Sequence, residues 1–429
     1  MITDHNIKSV HLSTWDNEGG AARATFRLHN ALQRAGVDGR MLVLHRITDS
    51  PSVSSVAKNY FQKVMEKGCG SIDNLPTIFW KHDPRQRVWS PGWIDLFRVH
   101  LHEDVRTADV ITLFWVCGGF LSAKAIGRLL RLNKPLMWRL SDMWPFTGGC
   151  HYSGQCTRYE EKCGRCPQLG SNHDYDLSKW VWNRKYAWWK DYSITIVCPS
   201  RWIAACAQRS SLFRNQRIEI IPSGIDLKVF NPIDKKLARL ILNLPLDVPL
   251  ILFGASNAMD DPRKGKNKLE AALEILASGL SVNSLPQLVL FGSWNRPRIK
   301  GWGAPIHVLG HVYDEPSLAL LFSACDIFIA PSLEDNLPNT VLESLACGTP
   351  VVAFNIGGIP DIIEHKKNGY LAKAYDPEDL ARGIEWILSD EKRHRDLSRE
   401  ARLRVERDFD ITLIARKYLA LYQDVLTSK

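Results

Sequence analysis

The chain has 429 residues, of which 45% are hydrophobic and 24% are charged. This length predicts two or three domains, and the composition is that of a globular protein with more than one core. A disordered chain, a collagen and a coiled coil are thereby excluded. No run of about 18 apolar residues occurs, which argues against a membrane-spanning helix. The start, Met1 to Asn6, lacks a basic region followed by an apolar core, so we expect no secretory signal.

The net charge of +9 is unevenly distributed. Residues 1–225 hold 30 Lys and Arg against 19 Asp and Glu, a net of +11, whereas residues 226–429 carry a net of −2. A basic first half suits nucleic acid, anionic lipid headgroups or a phosphorylated substrate. Composition leaves all three partners open.

Four of the ten cysteines cluster within 17 residues. They are Cys150, Cys156, Cys163 and Cys166. Four thiolates in one loop can close a tetrahedral zinc site, with His151 and His173 as spare ligands. Such a zinc ion would be structural, because four protein ligands leave no open position. The alternative is a compact loop of buried or free thiols, and both interpretations stay open.

Strand and helix signals alternate along the first half. The predicted strands are short apolar runs bounded by polar turns. They are residues 9–13, 40–44, 109–115, 135–140, 193–198 and 218–221. An amphipathic helix is predicted over residues 21–34. Pro and Gly cluster at residues 221–226, where the charge balance also changes, so we place the main domain boundary there.

The second half repeats this rhythm. Its predicted strands are residues 249–253, 288–291, 307–309, 326–330 and 350–354. Alternating β and α units argue for parallel sheets covered on both faces. We therefore predict an α/β protein with two doubly wound, Rossmann-like domains that face a cleft. The predicted parts are residues 1–225 with a cysteine-rich insertion at about 146–170, residues 226–405, and a C-terminal helix 406–429 that packs back on the first domain.

Turns between a strand and the following helix carry the candidate binding residues, because doubly wound domains bind ligands at the carboxyl ends of their strands. In the first turn, Gly19 and Gly20 let a ligand approach the backbone at a helix N-terminus. A tight turn explains these glycines equally well. In the second, Arg263 and Lys264 lie beside a helix N-terminus and suit a diphosphate. A solvated basic loop is the alternative.

The third and most informative turn follows the predicted strand 326–330. Pro338 lies near the first turn of the next helix, and backbone N–H groups around residues 337–340 would point at an anion. Asp335 and Glu343, eight residues apart, supply two carboxylates that can bind sugar or ribose hydroxyls. Helix capping and solvation are the alternative roles.

In these motifs the chain resembles the retaining glycosyltransferases of family 4, which have the GT-B fold. The resemblance is carried by Gly19-Gly20, by Arg263-Lys264-Gly265 and by residues 335–352, and it is dense over roughly residues 250–390. Residues 142–152 are similar to a subgroup of the colanic-acid type, associated with bacterial surface polysaccharides. The motifs do not identify the donor sugar or the acceptor.

The resemblance implies roles for matching positions. Lys264 matches the lysine that contacts the donor diphosphate, and Glu343 matches the glutamate that holds the donor ribose. The implied catalytic residues are Asp142, Lys264 and Asp335. The implied donor-binding residues are Gly19, Gly20, Arg263, Lys264, Asp335, Asn336, Leu337, Pro338, Asn339, Thr340 and Glu343. The candidate acceptor-binding residues are Ser141 and His151.

Three positions depart from the family pattern. Asp335 stands where the family has the first glutamate of a pair, which implies a shorter reach to the donor sugar. Gly254-Ala255-Ser256 stands where an arginine is usual. Ser141 replaces a histidine that lies close to the donor sugar in the family. Because a hydroxyl cannot act as an imidazole would, the alternatives are Asp142, His151 or no side-chain base at all.

The resemblance implies transfer of a sugar from a nucleotide diphosphate-sugar, with retention, to a glycan or polyprenyl-diphosphate-linked acceptor in cell-surface polysaccharide biosynthesis. No cofactor is required for catalysis in this interpretation, because cations and N–H groups stabilise the departing diphosphate. We expect a cytoplasmic protein with peripheral contact to anionic lipid at the inner membrane face. Another GT-B enzyme, an epimerase or a phosphorylase, is the alternative. A zinc-stabilised nucleic-acid-binding protein is disfavoured, because the basic residues are dispersed and no nucleic-acid motif appears.

An aromatic stretch at residues 180–189 has two interpretations. Its tryptophans, interleaved with Lys and Arg, could form an interfacial helix that contacts lipid. Core packing with a solvated basic face is the alternative.

Overall fold

The computed structural model describes residues 6–80, 88–255, 261–279, 285–292 and 302–428. The chain divides into two compact units, the first comprising Met1–Ser223 with Thr412–Lys429 and the second Gly224–Ile411. Ser256 and residues 1–5 lie outside the described residues. The expectation that the chain has no secretory signal rests on those first residues.

The first unit is built on a seven-stranded sheet in which all paired strands are parallel. The strands are β1 (Lys8–Trp15), β2 (Asp38–His45), β3 (Val53–Ser55), β4 (Val110–Leu113), β5 (Leu136–Arg139), β6 (Thr195–Cys198) and β7 (Arg217–Ile220). Their order across the sheet is β3-β2-β1-β4-β5-β6-β7. The winding therefore reverses between β1 and β4, which is the kind of switch point where doubly wound sheets bind ligands.

The second unit has a six-stranded parallel sheet of the same kind. Its strands are β8 (Leu250–Ala255), β9 (Gln287–Gly292), β10 (Ile306–Val308), β11 (Ile327–Ala330), β12 (Val351–Phe354) and β13 (Gly369–Ala372). Their order is β10-β9-β8-β11-β12-β13, with the reversal between β8 and β11.

Helices connect the strands of both sheets. Those of the first unit are α1 (Gly19–Arg34), α2 (Tyr60–Asn74), α3 (Glu103–Thr107), α4 (Ala123–Leu130), α5 (Leu177–Trp189) and α6 (Arg201–Arg209). Those that follow are α7 (Lys235–Ile241), α8 (Lys266–Gly279), α9 (Glu315–Ala324), α10 (Asn339–Ala346), α11 (Ile359–Ile362), α12 (Pro377–Leu388), α13 (Glu391–Asp408) and α14 (Ile411–Thr427). None of the helices in the described ranges has the length and apolar character needed to cross a membrane.

The predicted α/β class with two parallel, doubly wound sheets is confirmed. The apolar runs of β4, β11 and β12 are buried along their whole length, as expected for strands covered on both faces. Two strands were not predicted. β3 is three residues long and partly exposed, and β13 begins at Gly369, where a Cβ would lie 2.6 Å from the Val351 carbonyl oxygen. β3 has no apolar run, and the apolar run of β13 is only the three residues Tyr370 to Ala372.

The structure buries part of the aromatic stretch and leaves part of it exposed: Trp180 is 41% exposed and Tyr186 is 45% exposed, so lipid contact by this helix stays a prediction. Trp182 and Trp189 on α5 are buried, and the Trp189 Nε1–H donates to the Ala123 carbonyl oxygen at 2.9 Å. Lys185 is completely buried and its ammonium donates to the carbonyl oxygen of Trp144. The helix is thus part of the first unit's core.

A buried hydrogen-bond network joins α14 to the first sheet. Tyr422 Oη lies 3.0 Å from His11 Nε2 and 3.0 Å from Thr112 Oγ1. His11 Nδ1 in turn lies 3.1 Å from His29 Nδ1, and His29 Nε2 lies 2.9 Å from Ser52 Oγ. Residues of β1, α1, β4 and the last helix are thereby tied to one another.

Both histidines of this network are kept neutral by their surroundings. Burial, together with the charge of Arg40, lowers the pKa of His29 to about 4. Burial and the neighbouring His29 lower the pKa of His11 well below its usual value. Protonating either ring would place an uncompensated charge in the core.

We expect the free energy of unfolding of the first unit to fall as the pH is lowered from about 6.5 towards 4. An unfolded histidine binds its proton near pH 6.5, whereas folded His29 does so only near a pKa of about 4. Between these pH values the unfolded chain binds more protons than the folded chain. The free energy of unfolding therefore falls by about 1.4 kcal/mol per pH unit for each such histidine. Urea titrations across this range measure the slope. His29→Gln should flatten it, whereas replacing the exposed His173 by Gln should not. Equal slopes in wild type and His29→Gln would contradict this account.

Candidate functional site

In the second unit, two predicted binding turns meet at the carboxyl edge of the sheet. β8 and β11 are neighbours, so residues 261–265 and the loop after β11 lie side by side. The Leu333 N–H donates to the Arg263 carbonyl oxygen at 2.7 Å. Gly265 has φ +71°, and a Cβ there would lie 1.8 Å from the Pro331 carbonyl oxygen. Because of this close contact, the two turns form one surface.

An ion pair links the two turns. Lys264 Nζ lies 2.8 Å from Asp335 Oδ2. The backbone of Asp335 is fixed as well, because its carbonyl oxygen accepts the Gly358 N–H at 3.2 Å. A Cβ on Gly357, which has φ +54°, would lie 2.0 Å from that oxygen. Two residues predicted from separate motifs, Lys264 and Asp335, are therefore brought together. Gly357, which the predicted site did not include, has no side chain that would overlap the Asp335 backbone.

Arg263 has a partner that the sequence did not indicate. Its guanidinium binds the Asp261 carboxylate at two points, with Nε–Oδ1 at 3.0 Å and Nη2–Oδ2 at 2.7 Å. Burial alone raises the pKa of Asp261, but the bonds from Arg263 and the charges of Arg263 and Lys264 outweigh it and hold that pKa below its usual value. The described contacts of Arg263 thus stiffen the turn, and its contact with a donor stays a prediction.

Helix α10 opens at this surface. Pro338 is the N-cap of this helix, and its side chain forms no capping hydrogen bond. The N-terminus is the positive end of the helix dipole, and it adjoins the loop. Asn336 and Leu337 are buried, whereas Asn339 and Thr340, the first residues of the helix, are half-buried. Glu343 lies one turn further along and is buried. The Lys264 ammonium thus pairs with a carboxylate of the loop that leads into α10, and Glu343 supplies a second carboxylate on that helix. A cation and carboxylates beside a helix N-terminus suit a phosphorylated ligand with hydroxyl groups.

In the first unit, the predicted glycine turn opens α1. Gly19 has φ +81°, and a Cβ there would meet nothing within 4 Å, so the backbone conformation and not crowding favours glycine. Gly20 follows it in the first turn of the helix, and the N-cap Glu18 supplies no side-chain cap. Asp16, which the predicted site also lacked, anchors the turn: its carboxylate accepts the N–H groups of Ile47 and Thr48.

Asp142 and His151 form a buried pair. His151 Nδ1 lies 2.6 Å from Asp142 Oδ2, which also accepts the Trp115 indole N–H at 2.9 Å. The other ring nitrogen of His151 lies 2.9 Å from Ser90 Oγ. Burial alone raises the pKa of Asp142, but the charge and hydrogen bond of His151 outweigh it, so the pKa lies below its usual value. Asp142 is thus held ionised, and both nitrogens of His151 are engaged.

Ser141 and Asp142 follow β5, and Gly19 and Gly20 follow β1. These residues lie at the carboxyl ends of strands in the same sheet, near its switch point. These four predicted site residues of the first unit therefore lie at one edge of its sheet. Trp115 and Ser90, which hold Asp142 and His151, carry no recognisable motif and were not predicted.

The four clustered cysteines line a small cavity together with Trp89 and Tyr159. All four are thiols and not disulfides. Burial raises the pKa of the Cys163 thiol to about 12. Within the described ranges, no group of three or more His, Cys, Asp or Glu side chains is arranged to hold a metal ion. Cys163 and Cys166 are buried and Cys150 and Cys156 are half-buried, and the structural zinc site stays a prediction.

Two doubly wound parallel sheets, with a cationic turn and a helix N-terminus meeting at the carboxyl edge of the second, define a protein of the GT-B fold. Residues 263–404 match the family model described as glycosyl transferases group 1. The D-inositol 3-phosphate glycosyltransferase of Acidothermus cellulolyticus is 31% identical over 184 residues, which is 40% of either chain. The chain thus matches less than half the length of this curated relative.

Solved structures share the fold over nearly the whole chain. Sucrose-phosphate synthase from Thermosynechococcus elongatus has a TM-score of 0.66 and 20% identity, over 98% of this chain and 100% of that one. Anabaena HepE in complex with UDP-glucose has a TM-score of 0.61 and 17% identity, over 99% of this chain and 100% of that one. At such identities the likeness establishes the fold, and the predicted GT-B fold is confirmed.

We expect Gly265→Ala to lower the stability of the second unit by at least about 2 kcal/mol, because the new Cβ would overlap the Pro331 carbonyl oxygen in a backbone conformation that alanine disfavours. Gly279→Ala is the matched control: its Cβ would meet nothing within 4 Å, so the change should stay within about 1 kcal/mol. Urea unfolding of both variants measures the difference. Equal stability of the two would mean that the contact between the turns is not as close as described.

Proposed function

We propose that the protein is a retaining glycosyltransferase of family 4. It would transfer a sugar from a nucleotide diphosphate-sugar to a glycan or polyprenyl-diphosphate-linked acceptor in cell-surface polysaccharide biosynthesis. The observation that carries the proposal is the Lys264–Asp335 ion pair beside the start of α10. This pair lies within the segment that matches glycosyl transferases group 1.

On the donor side, each group has a distinct task. The Lys264 ammonium and the N–H groups at the start of α10 would hold the diphosphate, where negative charge accumulates as the sugar leaves. Asp335 keeps the ammonium in place and would accept a hydrogen bond from a sugar hydroxyl. Glu343 would bind the ribose hydroxyls. The structurally similar HepE was solved in complex with UDP-glucose, which supports a nucleotide-sugar donor here.

Retention of configuration requires that the acceptor bond to the anomeric carbon on the same face of the sugar from which the diphosphate departs. The departing phosphate oxygen can then take the acceptor proton, so Ser141 in place of a histidine is compatible with activity. His151 is best assigned as a positioning residue, because both of its nitrogens are engaged. Asp142 would orient the acceptor as a carboxylate, with Ser141 beside it. No cofactor takes part in this step, and a zinc ion in the cysteine loop would be structural.

Charge supports one class of acceptor. The net of +11 in residues 1–225 favours an acceptor that carries phosphate, and a polyprenyl diphosphate does so. A soluble polyol phosphate is the second candidate, because the relative from Acidothermus is named for inositol 3-phosphate. A lipid-linked acceptor would require a cytoplasmic enzyme at the inner membrane face.

We expect Lys264→Ala and Glu343→Ala to lower turnover at least tenfold, roughly, with any accepted donor, because each removes a group that binds the diphosphate or the ribose. Lys268→Ala on α8 and the exposed Glu378→Ala on α12 are the matched controls and should retain turnover. Product analysis separates the alternatives: a glycosylated acceptor indicates transfer, whereas epimerised donor or sugar 1-phosphate indicates another GT-B enzyme. Near-normal turnover in both site variants would refute the site.

The donor nucleotide can be identified by thermal shift. Among UDP-, GDP- and ADP-sugars, we expect one class to raise the unfolding temperature of the wild type, because a ligand that binds only the folded state stabilises it. The shift should disappear in Lys264→Ala and persist in Lys268→Ala. If no nucleotide sugar stabilises the wild type, or if Lys264→Ala responds as wild type does, the donor assignment is wrong.

A further inference from the structure

A group of large apolar side chains is exposed on α2 and on the short 3₁₀ helix that follows it, Leu75–Phe79. Tyr60 is 84% exposed and Phe79 is 88% exposed. We name this the α2 surface and define it by its exposed residues. They are Lys58, Tyr60, Phe61, Lys63, Val64, Lys67, Leu75, Ile78 and Phe79. The apolar members lie at the two ends of this segment, at residues 60–64 and 75–79, and large exposed apolar groups in a folded protein point to an interaction site.

The helix is firmly held by its opposite face, so this exposure is a property of the fold. Cys69 is buried against Gly119, where a Cβ would lie 2.6 Å from the Cys69 carbonyl oxygen. The Asp73 carboxylate accepts the N–H groups of Gly92 and Trp93 at 3.2 and 3.0 Å. Residues 60, 64, 67 and 71 then fall on the outer face because they recur at helical spacing.

The charges on the α2 surface are all positive. Lys58, Lys63 and Lys67 are exposed. The two acids of residues 58–79, all of which are described, are engaged elsewhere: Glu66 is 3.1 Å from His45 Nδ1, and Asp73 is buried. Aromatic side chains interleaved with lysines match the headgroup region of an anionic bilayer, where rings enter the boundary and ammonium groups meet phosphates.

We propose that the α2 surface docks the first unit onto an anionic membrane. Aromatic and aliphatic side chains of α2 and the 3₁₀ helix would enter the headgroup–acyl boundary, with the lysines on lipid phosphates. The proposal extends the proposed function by naming the membrane-facing surface, but it needs no catalytic residue. A second copy of the chain fits less well, because a two-fold contact through this surface would bring three lysines against the same three. The aromatic helix α5 is the weaker candidate, since Trp182 and Trp189 are buried and its exposed rings, Trp180 at 41% and Tyr186 at 45%, are less exposed than Tyr60 and Phe79.

Vesicle flotation of the full-length protein tests the proposal. The wild type should float with vesicles of phosphatidylcholine and phosphatidylglycerol and remain behind with phosphatidylcholine alone. A double variant, Phe61→Ser with Phe79→Ser, should reduce the partition coefficient at least tenfold, roughly, through lost apolar insertion. Lys63→Gln with Lys67→Gln should reduce it by about tenfold and weaken its dependence on salt.

The controls use equivalent residues away from the surface. Tyr175 is 87% exposed in the same unit, close to the 88% of Phe79, so Tyr175→Ser is the control for the aromatic changes. Lys162→Gln matches the lysine changes, since Lys162 is also exposed. Only the changes on the α2 surface should affect flotation. The folding and donor-induced thermal shift of every variant should equal those of the wild type, so a failed donor assignment and a failed membrane assignment give separate signals.

Two results would overturn the proposal. One is a wild type that does not float with anionic vesicles, or variants of the α2 surface that float as the wild type does. The other is a dimer, seen by sedimentation velocity, that the Phe61→Ser and Phe79→Ser changes convert to a monomer without any change in flotation. That second result would assign the surface to a contact between copies.

Discussion

The ion pair of Lys264 with Asp335 is the interaction on which the second unit's site depends. Two glycines allow the close backbone contacts around it: a Cβ on Gly265 would overlap the Pro331 carbonyl oxygen, and a Cβ on Gly357 would overlap that of Asp335. The pair holds the Lys264 ammonium against Asp335, in the loop that leads into α10. A diphosphate would then meet a cation and oriented N–H groups already in position, which is the arrangement that electrostatic stabilisation of a leaving group requires.

Much of the fold could be predicted from the sequence, because its buried strands are continuous apolar runs separated by helical periods. β11 and β12 are such runs, and parallel pairing follows from the alternation with helices. β3 and β13 were missed for a physical reason. The first is short and partly exposed, and the second depends on a glycine whose value lies in a close approach to a neighbouring strand, which hydropathy does not register.

The site was predictable only in its local parts. Strand-to-helix turns with Gly, Lys and Asp mark ligand loops, and the fold brings Lys264 to Asp335. A contact between residues that are distant in sequence, such as that of Ser90 with His151, leaves no local signal in the sequence. Amphipathic stretches are ambiguous for the same reason. α5 and α2 both carry aromatic side chains among lysines, and tertiary packing buries Trp182 and Trp189 of α5 but exposes Tyr60 and Phe61 of α2.

The return of α14 to the first sheet has a consequence for synthesis. The chain leaves the first unit after Ser223 and re-enters it at Thr412, so this unit is discontinuous in sequence. His11 and Thr112 find their partner in Tyr422, seven residues from the end of the chain. On the ribosome, the first unit can therefore be completed only after the whole second unit has emerged. A fragment that stops at residue 223 would lack a helix of its own core.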